Sequence, residues 1–265
     1  MSKIAILAGK GQLPFAVYDA LVAQGQKPLV YAVYQAEEGW DERGADVKVV
    51  SNPLKFALIL GAMKLRGVTD LVLAGRVPKK EAFDRDHMDD LARETIDLDV
   101  GDDHSLLEKV VATIEAFGLK VRTYDDLLPQ ALASEGLICG RPPTEQELAD
   151  GQKGFELLGH LLPLSFGQGL VVHRGSVVAV EAMEGTDAMI RRAGDLMGAG
   201  VVVKGLKKGQ DRRTDLPVVG VETLKTMAQS GLTALFVASG DVLLLDKEAV
   251  ARAAGELDLC IWGMK

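Results

Sequence analysis

Short apolar runs alternate with helix-period stretches through the first half of the chain. Lys3–Leu7 is a brief apolar run, and Phe15–Gln24 sets Phe15, Val17, Ala20, Leu21 and Ala23 at helical spacing. Further strands are predicted at Pro28–Val33, Asp46–Val50, Thr69–Leu73 and Leu119–Tyr124, with helices over Pro53–Arg66 and Leu106–Phe117. Strands that alternate with helices predict a mostly parallel sheet covered on both faces, an α/β arrangement. Ligands of such sheets sit beyond the carboxyl ends of the strands. Gly9–Pro14 and Gly75–Lys80 fall at such ends.

The texture changes near Ser134–Gln146. Gly136–Pro143 reads as a glycine and proline break, and Thr144-Glu-Gln-Glu147 reads as a capping box opening a helix over Thr144–Leu161. We therefore place two domains at 1–135 and 136–265. In the second, Gly169–Val172 and Ser176–Val180 predict a hairpin, and Thr186–Leu196 and Val221–Ser230 predict helices. Strands at Gly200–Lys204, Ala234–Ala238 and Val242–Leu245 and a last helix at Lys247–Ala254 complete a distinct α+β domain.

Composition narrows the function. The chain has 265 residues, 48% apolar and 26% charged, ordinary for a globular protein with a sizeable core. A net charge of −8 argues against nucleic acid as a partner, because phosphate backbones need a basic surface. Cys139 and Cys260 show neither metal spacing nor a disulfide framework, which fits two thiols in a reducing cytoplasm. No apolar run is long enough to span a membrane, and the N-terminal run is too short for a signal sequence.

Three stretches carry candidate chemistry. In the first, strand, glycine turn and helix succeed one another around Gly9, Gly11, Gln12, Leu13 and Pro14, an arrangement whose helix-start amides cradle phosphate. It opens like a dinucleotide fingerprint, with Glu37 and Glu38 as possible ribose-binding acids. Pro14 stands where the third glycine belongs, which weakens a nicotinamide reading. The second stretch, Lys204–Gly220, offers Lys204, Lys207 and Lys208 as clamps for phosphate oxygens, beside Gln210, Asp211 and Asp215. Its plainer reading pairs Asp211 and Asp215 with Arg212 and Arg213 on a loop. The third comprises two acidic clusters, Asp102-Asp103-His104 and Glu181-Ala-Met-Glu184-Gly185-Thr186-Asp187. Capping by Thr186, with Asp187 in the first helical turn, explains only part of the latter. The 4 histidines show no paired ligand spacing, and neither G-x-S-x-G nor a P-loop occurs, so zinc and covalent serine catalysis have no foothold.

Taken in order, these motifs resemble the LpxI-type UDP-2,3-diacylglucosamine pyrophosphatases. The resemblance runs through Ala-Gly-Lys-Gly-Gln-Leu-Pro, Gly75-Arg76-Val77, Gly101-Asp102-Asp103, Glu184-Gly185-Thr186-Asp187, Lys204 with Gln210-Asp211, Asp215-Leu216-Pro217 and Gly240-Asp241. Lys10, where glycine is usual, and Thr214, where an aromatic is usual, depart from the pattern. The resemblance implies a Rossmann-like N-terminal domain and a magnesium-dependent hydrolase of lipid A biosynthesis. It would split UDP-2,3-diacylglucosamine into UMP and lipid X at a site between the domains. It also implies a cytoplasmic protein held peripherally at the inner face of the inner membrane, with a homo-oligomer possible. Asp215 is then the expected essential carboxylate, with Asp211 and Lys204 beside it in catalysis. Asp102, Asp103, Glu184 and Asp187 are expected at Mg2+. Gly9, Gly11, Gln12, Leu13, Pro14, Gly75, Arg76, Lys79, Gly185, Thr186, Lys207 and Gln210 are expected to contact substrate. Phe155–Val172 is a candidate lining for the acyl chains. A non-catalytic binder of nucleotide sugars is the alternative.

Overall fold

The computed structural model describes residues 2–77, 87–96, 103–165, 167–214 and 216–265, without the side chains of Asp103, His104 and Ser105. They form two compact units, Met1–Pro129 with Asp211–Asp215, and Gln130–Gln210 with Leu216–Lys265.

In the first unit, strands β1 (Ile4–Ala8), β2 (Leu29–Val33), β3 (Asp46–Val50), β4 (Asp70–Ala74) and β5 (Lys120–Val121) form one sheet in the order β3-β2-β1-β4-β5. Every pairing is parallel. β1 and β2 are buried along nearly their whole length because helices cover both faces, which is why they read as unbroken apolar runs. At the sheet edge, β3 is largely exposed, and its sequence DVKVV mixes charge with valine. Helices α1 (Leu13–Ala23), α2 (Phe56–Leu65), α3 (Asp90–Thr95), α4 (Asp103–Ala116) and α5 (Tyr124–Leu127) connect or flank the strands. Leu60 and Met63 of α2 and Val111 and Ile114 of α4 pack with Ala5, Tyr31 and Leu71 in one core. The strand expected over Leu119–Tyr124 is shorter. Tyr124 instead starts α5, with Asp125 and Asp126 in its first turn, and its hydroxyl donates to the Leu73 carbonyl at the end of β4.

The second unit is built on six strands, β6 (Gly136–Gly140), β7 (Gly169–His173), β8 (Ser176–Val180), β9 (Val201–Lys204), β11 (Ala234–Ala238) and β13 (Cys260–Met264), in the order β6-β13-β11-β9-β7-β8. Its centre, β13-β11-β9, is parallel, and its edges are antiparallel. A short parallel pair, β10 (Val218–Val219) and β12 (Leu243–Leu244), stands beside it. Helix α6 (Glu145–Leu161) packs on one face through Leu158, against Leu170, Val172, Val203 and Phe236. Helices α7 (Thr186–Met197), α8 (Val221–Gln229) and α9 (Lys247–Glu256) bury Met189, Ile190, Leu224, Met227 and Val250 in the other core.

The stretch read as a break, Gly136–Pro143, begins with edge strand β6, and the chain adds a last strand, β13, after the final predicted helix. The capping box is present as expected. The Thr144 hydroxyl accepts from the Glu147 amide at 3.2 Å, and the Glu147 carboxylate accepts from the Thr144 amide at 2.8 Å. The same carboxylate takes a two-pronged bond from Arg141 at 2.8 and 2.7 Å and one from the Thr233 hydroxyl at 2.6 Å. Burial pushes the Glu147 carboxyl up, but Arg141, Thr144 and Thr233 outweigh it and hold it at about 2. Among the described residues, no helix is long and apolar enough to cross a membrane.

Candidate active site

The order β3-β2-β1-β4-β5 places the topological switch at the neighbouring carboxyl ends of β1 and β4. Two glycine turns leave the sheet there and are joined backbone to backbone. The Gly9 amide donates to the Ala74 carbonyl at 2.7 Å, and Lys10 and Arg76 exchange amide bonds of 2.8 and 2.9 Å. No side chain fits at this crossing. A Cβ on Gly9 would lie 2.6 Å from the Arg76 carbonyl oxygen, and one on Gly75 would lie 2.8 Å from the Gly9 carbonyl carbon. Gly75 also has φ +88°, in the left-handed region that glycine alone adopts without strain. Gln12 precedes α1, and Leu13 and Pro14 open it, Pro14 fitting the first turn because no partner waits for its missing N–H. Gly9, Gly11, Gln12, Leu13, Pro14, Gly75 and Arg76 therefore stand together, whereas Lys79 lies outside the described residues. The Gly11 amide donates to the Glu37 carboxylate at 3.0 Å. The chain's own carboxylate thus occupies that N–H.

The loop after β9 divides its charges. Arg213 forks onto Asp211, with its shortest contact at 2.7 Å, and reaches Glu115 at 2.9 Å. Its hydrogen bonds hold the Asp211 carboxyl below the usual range, against the opposing effect of burial. This is the plainer pairing read from the sequence. Arg212 instead forks onto Asp125 at 2.7 and 2.6 Å, a partner 87 residues away that no local pattern announces. Asp215 and Asp102 lie outside the described residues, as does the side chain of Asp103.

In the second unit Lys204 ends β9 and is only 5% exposed. Its ammonium donates to the Thr186 hydroxyl, and that hydroxyl donates to Glu181 Oε1 at 2.8 Å. The other carboxylate oxygen, Glu181 Oε2, lies 3.9 Å from the Lys204 ammonium. Thr186 is not the N-cap that helical pattern suggests. Gly185 takes that place with φ +82°, and Thr186, the first helical residue, turns its hydroxyl to Lys204 and Glu181. Lys207 donates to the Ser165 hydroxyl at 2.9 Å, and the Gln210 amide donates to the Lys207 carbonyl at 3.0 Å.

Of the expected magnesium ligands, Glu184 is bonded to Arg192, and Asp187 lies 3.5 Å from the Thr223 hydroxyl. No three His, Cys, Asp or Glu side chains among the described residues gather as a metal site. The stretch Phe155–Val172 runs from partly buried and exposed positions into buried strand β7. Leu158, Leu170 and Val172 are buried to 2% exposure or less, and Leu164 stands out at 63%. Glu181, present in the acidic cluster but given no role by the sequence, is the residue whose contacts only the fold reveals.

The LpxI N-terminal domain family matches residues 3–131, and the LpxI C-terminal domain family matches residues 134–262. A protein of Caulobacter vibrioides described as UDP-2,3-diacylglucosamine pyrophosphatase LpxI is 31% identical over 279 aligned positions, which take in 100% of this chain and 98% of that protein. Two domain families in the right order and a relative matched from end to end agree with the motifs at the strand ends: the chain belongs to the LpxI family.

Proposed function

We propose that this protein hydrolyses the pyrophosphate of UDP-2,3-diacylglucosamine, releasing UMP and 2,3-diacylglucosamine 1-phosphate, in lipid A biosynthesis. The observation that carries the reading is the end-to-end match to a relative named for that activity, together with a sealed ammonium at the position the family motif marks. In this proposal the glycine turns at Gly9–Pro14 and Gly75–Arg76 contact the nucleotide, because glycine lets a ligand approach the backbone closely, and the first-turn amides of α1 favour its phosphate. Lys204 carries three N–H donors, and Thr186 takes one. The others suit phosphate oxygens, close to the first-turn amides of α7, which favour an anion. Charge develops on those oxygens as the bond to phosphorus changes, and donors already in place stabilise it without reorganisation. Asp215 is proposed to orient the attacking water, and Asp211, Lys207 and Gln210 are proposed to assist in catalysis and substrate binding.

Magnesium is the proposed cofactor, with Asp102, Asp103, Glu184 and Asp187 as its candidate ligands. Glu184 and Asp187 are engaged with Arg192 and Thr223, so the described carboxylates do not by themselves make a hard-oxygen set. The two acyl chains of the substrate support the further proposal that the protein visits the cytoplasmic face of the inner membrane peripherally.

Turnover in 18O-labelled water tests the reading. The expected products are UMP and lipid X, with the label in the lipid X phosphate, as attack at the phosphorus nearer the sugar demands. A folded protein that binds UMP but forms neither product would make it a non-catalytic nucleotide-sugar binder.

A further inference from the structure

We infer that Glu181 is a positioning residue for this hydrolysis, acting through the Thr186 hydroxyl to aim the Lys204 ammonium; the inference rests on the function proposed above. Three observations support it. Glu181 is 8% exposed and Lys204 5%, so both ends of the chain of contacts are shut away from solvent. Glu181 Oε1 accepts the Thr186 hydroxyl proton at 2.8 Å, which forces the lone pairs of that oxygen to face elsewhere, and Lys204 donates to it. Oε2 is buried with no hydrogen-bond partner among the described residues and lies 3.9 Å from the ammonium.

The backbone is shaped around this carboxylate. The Glu181 amide donates to the Gly169 carbonyl at 2.9 Å. A Cβ on Gly169 would come within 2.9 Å of Glu181 Oε2, and one on Gly167 within 2.0 Å of the Glu181 carbonyl oxygen. A side chain at Gly169 would press on the carboxylate, and one at Gly167 would press on the backbone that carries it.

Stability alone is a poor reason to keep such a group. A buried ion pair is often matched or bettered by apolar residues of the same volume, and a buried oxygen without a partner is unfavourable. Direction is what the arrangement supplies. Without Glu181 the Thr186 hydroxyl is free to rotate, and the ammonium loses its fixed acceptor. With Glu181 the sequence carboxylate, hydroxyl, ammonium has one polarity, and the remaining Lys204 donors point one way. Groups that act by holding a functional side chain in place typically contribute tenfold to a hundredfold.

The test is a double-mutant cycle on turnover of UDP-2,3-diacylglucosamine by the full chain. Glu181→Gln keeps the shape and removes the charge. We expect kcat to fall about tenfold with KM within about twofold of wild type, the pattern of an interaction that matters in the transition state. In a Lys204→Met background the same substitution should produce no further loss, because Glu181 acts only through Lys204. Thr186→Val should reproduce the loss, and Thr186→Ser should recover most of it. If Glu181→Gln does not fold, as judged by circular dichroism and urea unfolding, the Thr186 pair with Lys204→Met carries the same cycle. Wild-type kcat in Glu181→Gln, or losses that multiply in the double variant, would overturn the inference and leave the function standing. A wild type that forms no UMP would overturn both.

Discussion

The glycine turns of the first unit and the Lys204 cluster of the second both lie at the ends of sheet strands, yet they are made of different material. In the first, Gly9 and Gly75 bring two backbones within hydrogen-bonding reach of each other. In the second, Glu181, Thr186 and Lys204 bring three side chains into one line whose two ends are buried. Backbone sites depend on what is absent, since any Cβ collides. Side-chain sites depend on what is present and on its direction. The two should therefore fail in different ways.

Asp215→Ala should give the largest effect, a loss of about a thousandfold or more in kcat, if that carboxylate orients the water. A variant that keeps more than a tenth of wild-type kcat would move the essential acid elsewhere. Lys204→Met should lower kcat by between about a hundredfold and a thousandfold, while UMP binding, read by calorimetry, stays close to wild type. Weakened UMP binding in this variant would erase the division between the two sites.

Glu147→Ala tests the second unit's reliance on side chains away from the site. It leaves Arg141 without its forked partner and should cost about 3 kcal/mol in urea unfolding. Gly75→Ala combines a positive φ with a backbone collision and should cost about 2 kcal/mol. Unlike Lys204→Met, it should weaken UMP binding. Acid gives the smallest effect. Because the Glu147 carboxyl is held at about 2 in the folded chain, its contribution is complete above the ordinary carboxyl range and is lost as pH falls through that range toward 2. Allowing for solvent screening, we expect on the order of 2 kcal/mol to disappear over that window, and Glu147→Gln should flatten the slope.

The parallel sheet and its two glycine turns were legible because they depend on local signals: apolar runs of strand length, glycines at their ends, helix periods between them. The capping box at Thr144 was legible for the same reason. What escaped depends on distance along the chain. Thr186 fits a helix cap by pattern, yet its hydroxyl answers to Lys204, 18 residues on. Arg212 follows Asp211 in sequence, yet it forks onto Asp125, 87 residues away, which offers both oxygens. β6 and β13 escaped because glycines interrupt their alternation, and each is specified by the neighbour it pairs with.

The central claim is hydrolysis of the pyrophosphate, and release of UMP from UDP-2,3-diacylglucosamine tests it most directly, with magnesium and then with chelator, for wild type and Asp215→Ala. The account predicts UMP release by wild type that needs the ion and collapses in the variant. A folded wild type that binds UMP and releases none under any divalent cation would contradict it.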